Sequence, residues 1–386
     1  MSGHHRLLAE HVVTPQGVMD NAVIEISGSR LMSCGPLTAS ADPEPERVGG
    51  WVVPGFIDIH VHGGGGFDYA TEDPQEAISG RAFHASHGTT TSFASLVTAP
   101  IEVLCRQLTT LAELVEDGHF AGIHLEGPFL SAAQRGAHDP SQLRPPDPAS
   151  VDRIITVGRG ALSMITIAPE LPGAISAIRQ FTNAGVNVAI GHTDADRHTV
   201  ATALDAGASV ATHVFNAMRR MHHREPGPIP LLLTDRRVGV ELIVDGFHLH
   251  PDVVRMAAAA AGQQRTILIT DAMTAAGMAD GEFTIGGLPV RVRDGIARLI
   301  DADGGPGSLA GSTLTMSEAF HGMTDIIGEI DTVAVMASTN AARHLGLREV
   351  GRLEAGCRAD LCVVDDQGVL QRVMQAGRWL TESPPS

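Results

Sequence analysis

PGFIDIHVHGGGG, Pro54–Gly66, is the stretch on which the reading of the chain turns. It is an apolar strand that ends in two histidines one residue apart, followed by four consecutive glycines. In extended backbone, residues i and i+2 point to the same side, so His60 and His62 project together. The glycines let a ligand or another loop come close to them. Taken alone, the same letters also describe a strand end with two surface histidines before a flexible turn. The rest of the chain separates these readings.

Seven further short apolar segments closed by polar residues follow: GTTTSFASLV, AGIHLEGP, LSMITIAPE, VNVAIGHTDA, ASVATHVFNAM, VGVELIVDGFH and RTILITDAM. Most intervals between them hold helix-like sequence, as at Pro100–Gly118, Pro172–Gly185 and Pro251–Gly262. Strand and helix signals alternating in this way predict an α/β chain, a (β/α)8 TIM-like barrel. Polar residues come after the apolar part of each segment, at the strand ends where such barrels carry active sites. The two chain ends consist instead of short strand-like pieces such as NAVIEISGSRLMSCG. Neither end can bury a core alone. We therefore expect residues 1–52 and 346–386 to join into one small β-sandwich domain, with the barrel at 53–345.

A chain of 386 residues suits a large barrel plus a small domain, and 43% hydrophobic with only 4% aromatic content implies an aliphatic core. The formal charge of −17 argues against a nucleic-acid partner, which needs a basic face. The start, MSGHHRLLAEHVV, lacks the basic-then-apolar order of a signal peptide. No apolar run reaches the ~18 residues of a membrane span. Four scattered cysteines show no paired metal spacing, so a reduced, cytoplasmic location is expected. All 27 basic residues are arginine, and no chemistry here can use a lysine.

Placed around one barrel mouth, the strand ends bring His60 and His62 together with Glu126, His192, His213 and Asp271. Imidazole and carboxylate are the usual ligands of zinc and similar divalent ions in catalytic sites. Glu126, His192 and His213 can supply the three protein ligands such a site needs, leaving a position for water. Asp271, after the run TILIT, can take a proton from that water and return it to a leaving group. A helix N-cap is the plainer role for the same aspartate.

PGFIDIHVHGGGG, HLEGPFLS, GHTDA, THVFNAM, DGFHLHP, ITDAM and LAGSTLTM, in this order, resemble the N-acetylglucosamine-6-phosphate deacetylase family of the amidohydrolase superfamily. GRLEAGCRADLCVVD resembles that superfamily's closing β domain. The resemblance implies hydrolysis of the acetamide of N-acetyl-D-glucosamine 6-phosphate to D-glucosamine 6-phosphate and acetate, in amino-sugar catabolism and cell-wall recycling. It implies that Glu126, His192 and His213 hold the principal metal and that Asp271 is the catalytic acid/base. Ala137, His138, Asn216, Ala217, Arg224, Asp245, His248, Leu309, Ala310 and Gly311 are then the contacts to the sugar phosphate. An arginine fork suits phosphate, and the histidines can donate to sugar, amide or phosphate oxygens.

Some members of the family replace the first-strand histidines. This chain keeps His60 and His62, so one or two divalent ions per chain are expected, with zinc first and iron, manganese or cobalt as alternatives. A carbamylated lysine cannot bridge them, which leaves Glu126 as the bridge. The loop AAQRGAH offers Gln134 and Arg135 over the sugar and leaves ring selectivity open. A homodimer is expected by resemblance only. Two other classes stay in view: a related hydrolase deacylating an N-acyl amino acid or another N-acetyl sugar, and a non-catalytic sugar-phosphate sensor.

Overall fold

The computed structural model describes residues 4–37 and 44–382. The chain opens with β1 (His4–Thr14), β2 (Gly17–Ser27), β3 (Arg30–Pro36) and β4 (Glu46–Pro54). After β5 (Phe56–Asp58) comes a short ribbon, β6 (Gly63–Gly64) with β7 (Phe67–Asp68). Then helices and strands alternate: α1 (Pro74–Ser86), β8 (Thr89–Val97), α2 (Ile101–Glu116), β9 (Gly122–Glu126), α3 (Pro148–Gly158), β10 (Leu162–Ile167) and α4 (Ala174–Asn183). The alternation continues through β11 (Asn187–Ile190), α5 (Arg197–Asp205), β12 (Ala208–Ala211), α6 (Ile229–Thr234), β13 (Gly239–Ile243), α7 (Pro251–Ala261) and β14 (Thr266–Ile269). Four strands follow, β15 (Gly281–Ile285), β16 (Leu288–Arg293), β17 (Ile296–Ile300) and β18 (Pro306–Leu309). After α8 (Met316–Ile327) the described chain ends with β19 (Leu361–Val364), β20 (Leu370–Gln375) and β21 (Arg378–Glu382).

β5 and β8 to β14 form one eight-stranded sheet in chain order, and the ladders from β8 onward are parallel, as a (β/α)8 barrel requires. Each strand falls inside one of the eight apolar segments, and α2, α4 and α7 occupy the three intervals expected to be helical. All nine residues of β8 and all five of β13 are buried, the pattern of strands covered on both faces. The helices follow the same logic: Ile101, Leu104, Leu108 and Leu111 recur at helical spacing on α2 and are buried. Asp147 and Asp196 cap α3 and α5 by accepting from the amides of Ser150 and Thr199.

The barrel interior is not wholly apolar. His124 of β9 hydrogen-bonds through Nδ1 to Ser95 Oγ (3.0 Å) and through Nε2 to Thr166 Oγ1 (2.9 Å), which in turn meets Thr212 Oγ1 (2.9 Å). All four residues are buried. Because each polar atom of this chain has a partner, it avoids the ~1–3 kcal/mol cost of an unsatisfied buried group. At the start of β13 and β14, Arg265 and Arg237 also have partners. Arg265 donates to the carbonyls of Leu233 (2.7 Å), Asp235 (2.9 Å), Val238 (3.0 Å) and Ala260 (3.3 Å), and Arg237 pairs with Asp235 (2.7 Å).

The terminal strands form a seven-stranded sheet in the order β21-β20-β19-β4-β1-β2-β3. Leu7, Val12, Ile24 and Ile26 from the beginning of the chain share one core with Leu361, Val363 and Met374 from its end. The sheet is therefore closed over a single core as a terminal β-sandwich, and neither end supplies that core alone. β15 to β18 are a separate antiparallel sheet that lies outside the eight expected strand segments. Its turns were legible: Gly286-Gly287 (φ 54° and 79°) and Asp294-Gly295 (φ 52° and 72°) have positive φ at both central positions, as type I′ hairpins need.

By contact density the chain divides into two compact units, Met1–Asp58 with Ala82–Thr91 and Thr315–Ser386, and Ile59–Arg81 with Ser92–Leu314. Every residue singled out for chemistry lies in the second. Among the described residues no helix is long and apolar enough to cross a membrane.

Candidate metal centre and substrate cavity

Six of the side chains expected at the barrel mouth meet there. Glu126 is the last residue of β9, and His60 and His62 lie just past β5. His192, His213 and Asp271 each stand two residues beyond β11, β12 and β14, and each has left-handed backbone, with φ of 47°, 25° and 50°. That turn at the strand end redirects the side chain toward the barrel axis. Such backbone costs of order 1–3 kcal/mol at a non-glycine residue and clusters at functional sites.

Glu126 is the hub. Its Oε1 lies 3.0 Å from His213 Nε2, 3.1 Å from His192 Nε2 and 3.5 Å from His60 Nε2. Its Oε2 lies 3.3 Å from His62 Nε2 and 3.4 Å from His138 Nε2. Asp271 Oδ1 is 3.2 Å from His62 Nε2 and 3.5 Å from His60 Nε2. All are buried, none more than 8% exposed.

Hydrogen-bond partners settle what these nitrogens offer. His192 Nδ1 donates to the carbonyl of Gln134 (2.9 Å), and His60 Nδ1 faces the carboxylate of Glu241 (3.1 Å). Each therefore carries its proton on Nδ1 and presents a lone pair at Nε2. His138 is the reverse case. Its Nδ1 accepts from the amide of Thr98 (3.4 Å), which puts the proton on Nε2 and makes it a donor to the cavity. The Nε2 atoms of His60 and His62 face each other at 3.2 Å, as do those of His192 and His213. Nitrogens so close to one another and to the carboxylates need a proton or a metal cation between them. An N/O donor set around a shared carboxylate fits a divalent ion such as zinc.

The electrostatics agree. Burial opposes charge on His60 and His62, but Glu126 and Asp271 outweigh it; His60 is held well above its ordinary pKa and His62 at about 9. Burial would likewise raise the two carboxyls, yet the facing imidazoles hold Glu126 well below the usual range and Asp271 at about 2. The carboxylates draw in positive charge, which protons supply where an ion does not. Burial and the charge of His192 lower His138 to about 4, so it stays neutral.

A cavity of about 660 Å³ opens above this floor. Ala137, His138, Asn216, Ala217, His248, Leu309 and Gly311 line it, as do Gln134, Arg135 and, unforeseen, Asp301 and Ser308. Ala310 is fully buried in the core behind the wall. Asp245 does not line it either; its carboxylate holds His248 Nδ1 at 2.6 Å. Arg224 stands off the wall, exposed, with Nη1 3.0 Å from His223 Nε2. The glycine run admits another loop rather than a ligand. A Cβ on Gly63 would lie 2.3 Å from the carbonyl oxygen of Phe67, and the amides of His62 and Gly63 donate to the carbonyl of Ala272 (2.7 and 3.2 Å). The amide of Asp271 donates to the carbonyl of His60 (2.8 Å), so the ends of β5 and β14 are tied directly. Gly136 serves the cavity itself: a Cβ there would come within 2.9 Å of the His192 ring.

Residues 51–380 match the model of the amidohydrolase family. An N-acetylgalactosamine-6-phosphate deacetylase of Escherichia coli O157:H7 is 35% identical over 381 residues, 97% of this chain and 98% of that one. An N-acetylglucosamine-6-phosphate deacetylase of Lysinibacillus sphaericus is 35% identical over 86% of each chain. A variant of the N-acetyl-D-glucosamine-6-phosphate deacetylase of Mycobacterium smegmatis, solved with N-acetyl-D-glucosamine 6-phosphate, superposes with a TM-score of 0.94 at 42% identity, covering 98% of this chain and 99% of that one. Donor set, barrel and relatives agree: this chain belongs to the amidohydrolase family.

Proposed function

We propose that this protein is a metal-dependent hydrolase that cleaves the acetamide of N-acetyl-D-glucosamine 6-phosphate, releasing acetate and D-glucosamine 6-phosphate. One observation carries the reading: the carboxyl group of Asp271 lines a 660 Å³ cavity directly beside the converging imidazoles. The cavity is of the size that takes a small ligand. Relatives with this activity match most of the chain.

Glu126, His192 and His213 would hold one divalent ion, with zinc the best fit to such ligands; His60, His62 and Glu126 would hold a second. An ion so held supplies Lewis acidity and lowers the pKa of water to near neutrality. The chain's own groups do the rest. Asp271, ionised at neutral pH, enters the cycle as a proton acceptor and passes that proton to the departing nitrogen. Neutral His138 donates from Nε2 to the acetamide oxygen, where charge develops as water adds. Arg135, which lines the same cavity, offers a permanent positive charge for the phosphate, and His248, held at Nδ1 by Asp245, stands in the wall with it.

Acetate release from N-acetylglucosamine 6-phosphate by metal-replete protein tests the proposal. Activity should be strong there and weak on unphosphorylated N-acetylglucosamine and on N-acetyl amino acids. Equal rates with and without phosphate would sink the phosphosugar reading. The Escherichia coli relative favours a second reading, in which the C4 epimer is the better substrate. The ratio of kcat/KM values for the two phosphosugars decides between them.

A further inference from the structure

Glu241 lies in the middle of β13, fully buried, in the otherwise aliphatic run VGVELIV. A carboxyl inside a barrel wall is expensive unless it is paired and hydrogen-bonded. Its Oε2 lies 3.1 Å from His60 Nδ1 and accepts from the backbone amide of His213 at 3.1 Å. Its Oε1 has no hydrogen-bond partner among the described residues. Glu241 does not line the cavity. It meets His60 on the Nδ1 side of the ring, whereas Glu126 and Asp271 meet the same ring at Nε2. One oxygen thus touches a member of each half of the donor set: the ring of His60 and the left-handed backbone of His213.

We infer that Glu241 is a positioning residue for the metal centre. It keeps the His60 proton on Nδ1, so that Nε2 presents its lone pair beside Glu126 and Asp271. It also pins the turn that aims His213. Neither act requires contact with substrate or solvent. A carboxylate behind a ligating imidazole also makes that imidazole a better donor, and losing such a partner typically lowers metal affinity about 10–100-fold. The inference rests on the metal-dependent reading above and goes beyond it by giving one buried carboxyl control over both halves of the centre.

The test compares wild type with Glu241→Gln, which keeps the volume and an acceptor oxygen but not the charge, and Glu241→Leu, which keeps only the volume. Each is dialysed against buffered zinc. Bound metal, apparent affinity by chelator competition and the visible spectrum of the cobalt-substituted protein are then recorded. Glu241→Leu should bind its weaker ion at least about tenfold less tightly with an altered cobalt spectrum, and Glu241→Gln should recover part of the loss. Wild-type affinity and spectrum in both variants would overturn the inference alone. If the leucine variant does not fold, Glu241→Gln decides: wild-type affinity overturns the inference and weakened affinity supports it. A wild type that takes up no ion overturns the metal-dependent reading, and this inference with it.

Discussion

At the start of β13 and β14, Arg265 donates to four carbonyls and Arg237 closes on Asp235. At the finish of the same two strands stand His248, held by Asp245, and Asp271, facing two imidazoles. Both ends are rich in charge, but Arg265, Arg237 and Asp235 at the lower end satisfy one another or the nearby backbone, and the groups at the upper end do not. Below, donors meet acceptors and opposite charges meet. Above, imidazole nitrogens face one another: the Nε2 atoms of His60 and His62 are 3.2 Å apart, and the Nδ1 atoms of His62 and His213 have no partner among the described residues. A set of groups that is complete by itself stabilises a fold. A set that is incomplete by itself is built around something else, which is why the upper end of such a barrel reads as chemistry and the lower as stability.

Substitutions on the two ends should therefore separate activity from stability. The largest effect is expected from Asp271→Asn, which should lose about 10²–10⁴-fold in kcat while keeping its fold and metal content. Near-normal turnover would reduce Asp271 to a turn residue and dissolve the contrast. Next is the metal itself. Glu126→Gln should strip the centre, whereas His60→Gln with His62→Asn should take bound metal from about two ions per chain to about one. Elemental analysis of metal-replete protein measures this, and one ion in the wild type retained by the double variant would end the two-ion reading.

The lower end should respond in the opposite sense. Arg265→Ala is expected to leave kcat and metal content unchanged and to cost about 1.5–3 kcal/mol of stability, seen as a lower denaturant midpoint. A loss of activity without loss of stability would show that the two ends are not independent. The smallest effect belongs to Asp235, whose carboxyl is held at about 2 by its hydrogen bonds to Arg237. A depressed carboxyl stabilises above its unfolded pKa of about 3.9 and loses that contribution as pH falls toward its folded value. Asp235→Asn should lower Tm slightly at pH 7, and the difference from wild type should shrink below about pH 4. A gap that persists in acid would assign the effect to packing instead.

Much of this was legible from residue order. The short apolar segments contain the strands, because a parallel strand covered on both faces is largely apolar and the chain turns polar where it leaves the barrel. The six groups at the mouth were legible for the same reason. Glu241 was not, since a single acid inside VGVELIV looks like an interruption of a strand rather than half of a hydrogen-bonded pair. The anomaly was the signal: a glutamate with Val240 and Leu242 on either side must be compensated by something. Asp301 and Ser308 were not legible because the sheet carrying them interrupts the strand-helix rhythm, although its Gly-Gly and Asp-Gly turns mark hairpins. Arg224 shows the converse. A motif can match while the side chain points to solvent, because a loop residue's direction is not encoded in its spacing.

The amide of Asp271 is bonded to the carbonyl of His60, and the amides of His62 and Gly63 to that of Ala272. The first and last strands of the barrel are thus clasped by the residues that flank the chemistry. A nascent chain leaving the ribosome exposes His60 and His62 while most of the barrel is still unmade. Glu126 of β9 reaches these histidines early, but Asp271 does so only when the end of β14 has docked, the most non-local and hence slowest kind of contact to form. The facing of Asp271 on His60 and His62 is in this way coupled to completion of the barrel, and a chain stalled before β14 lacks it.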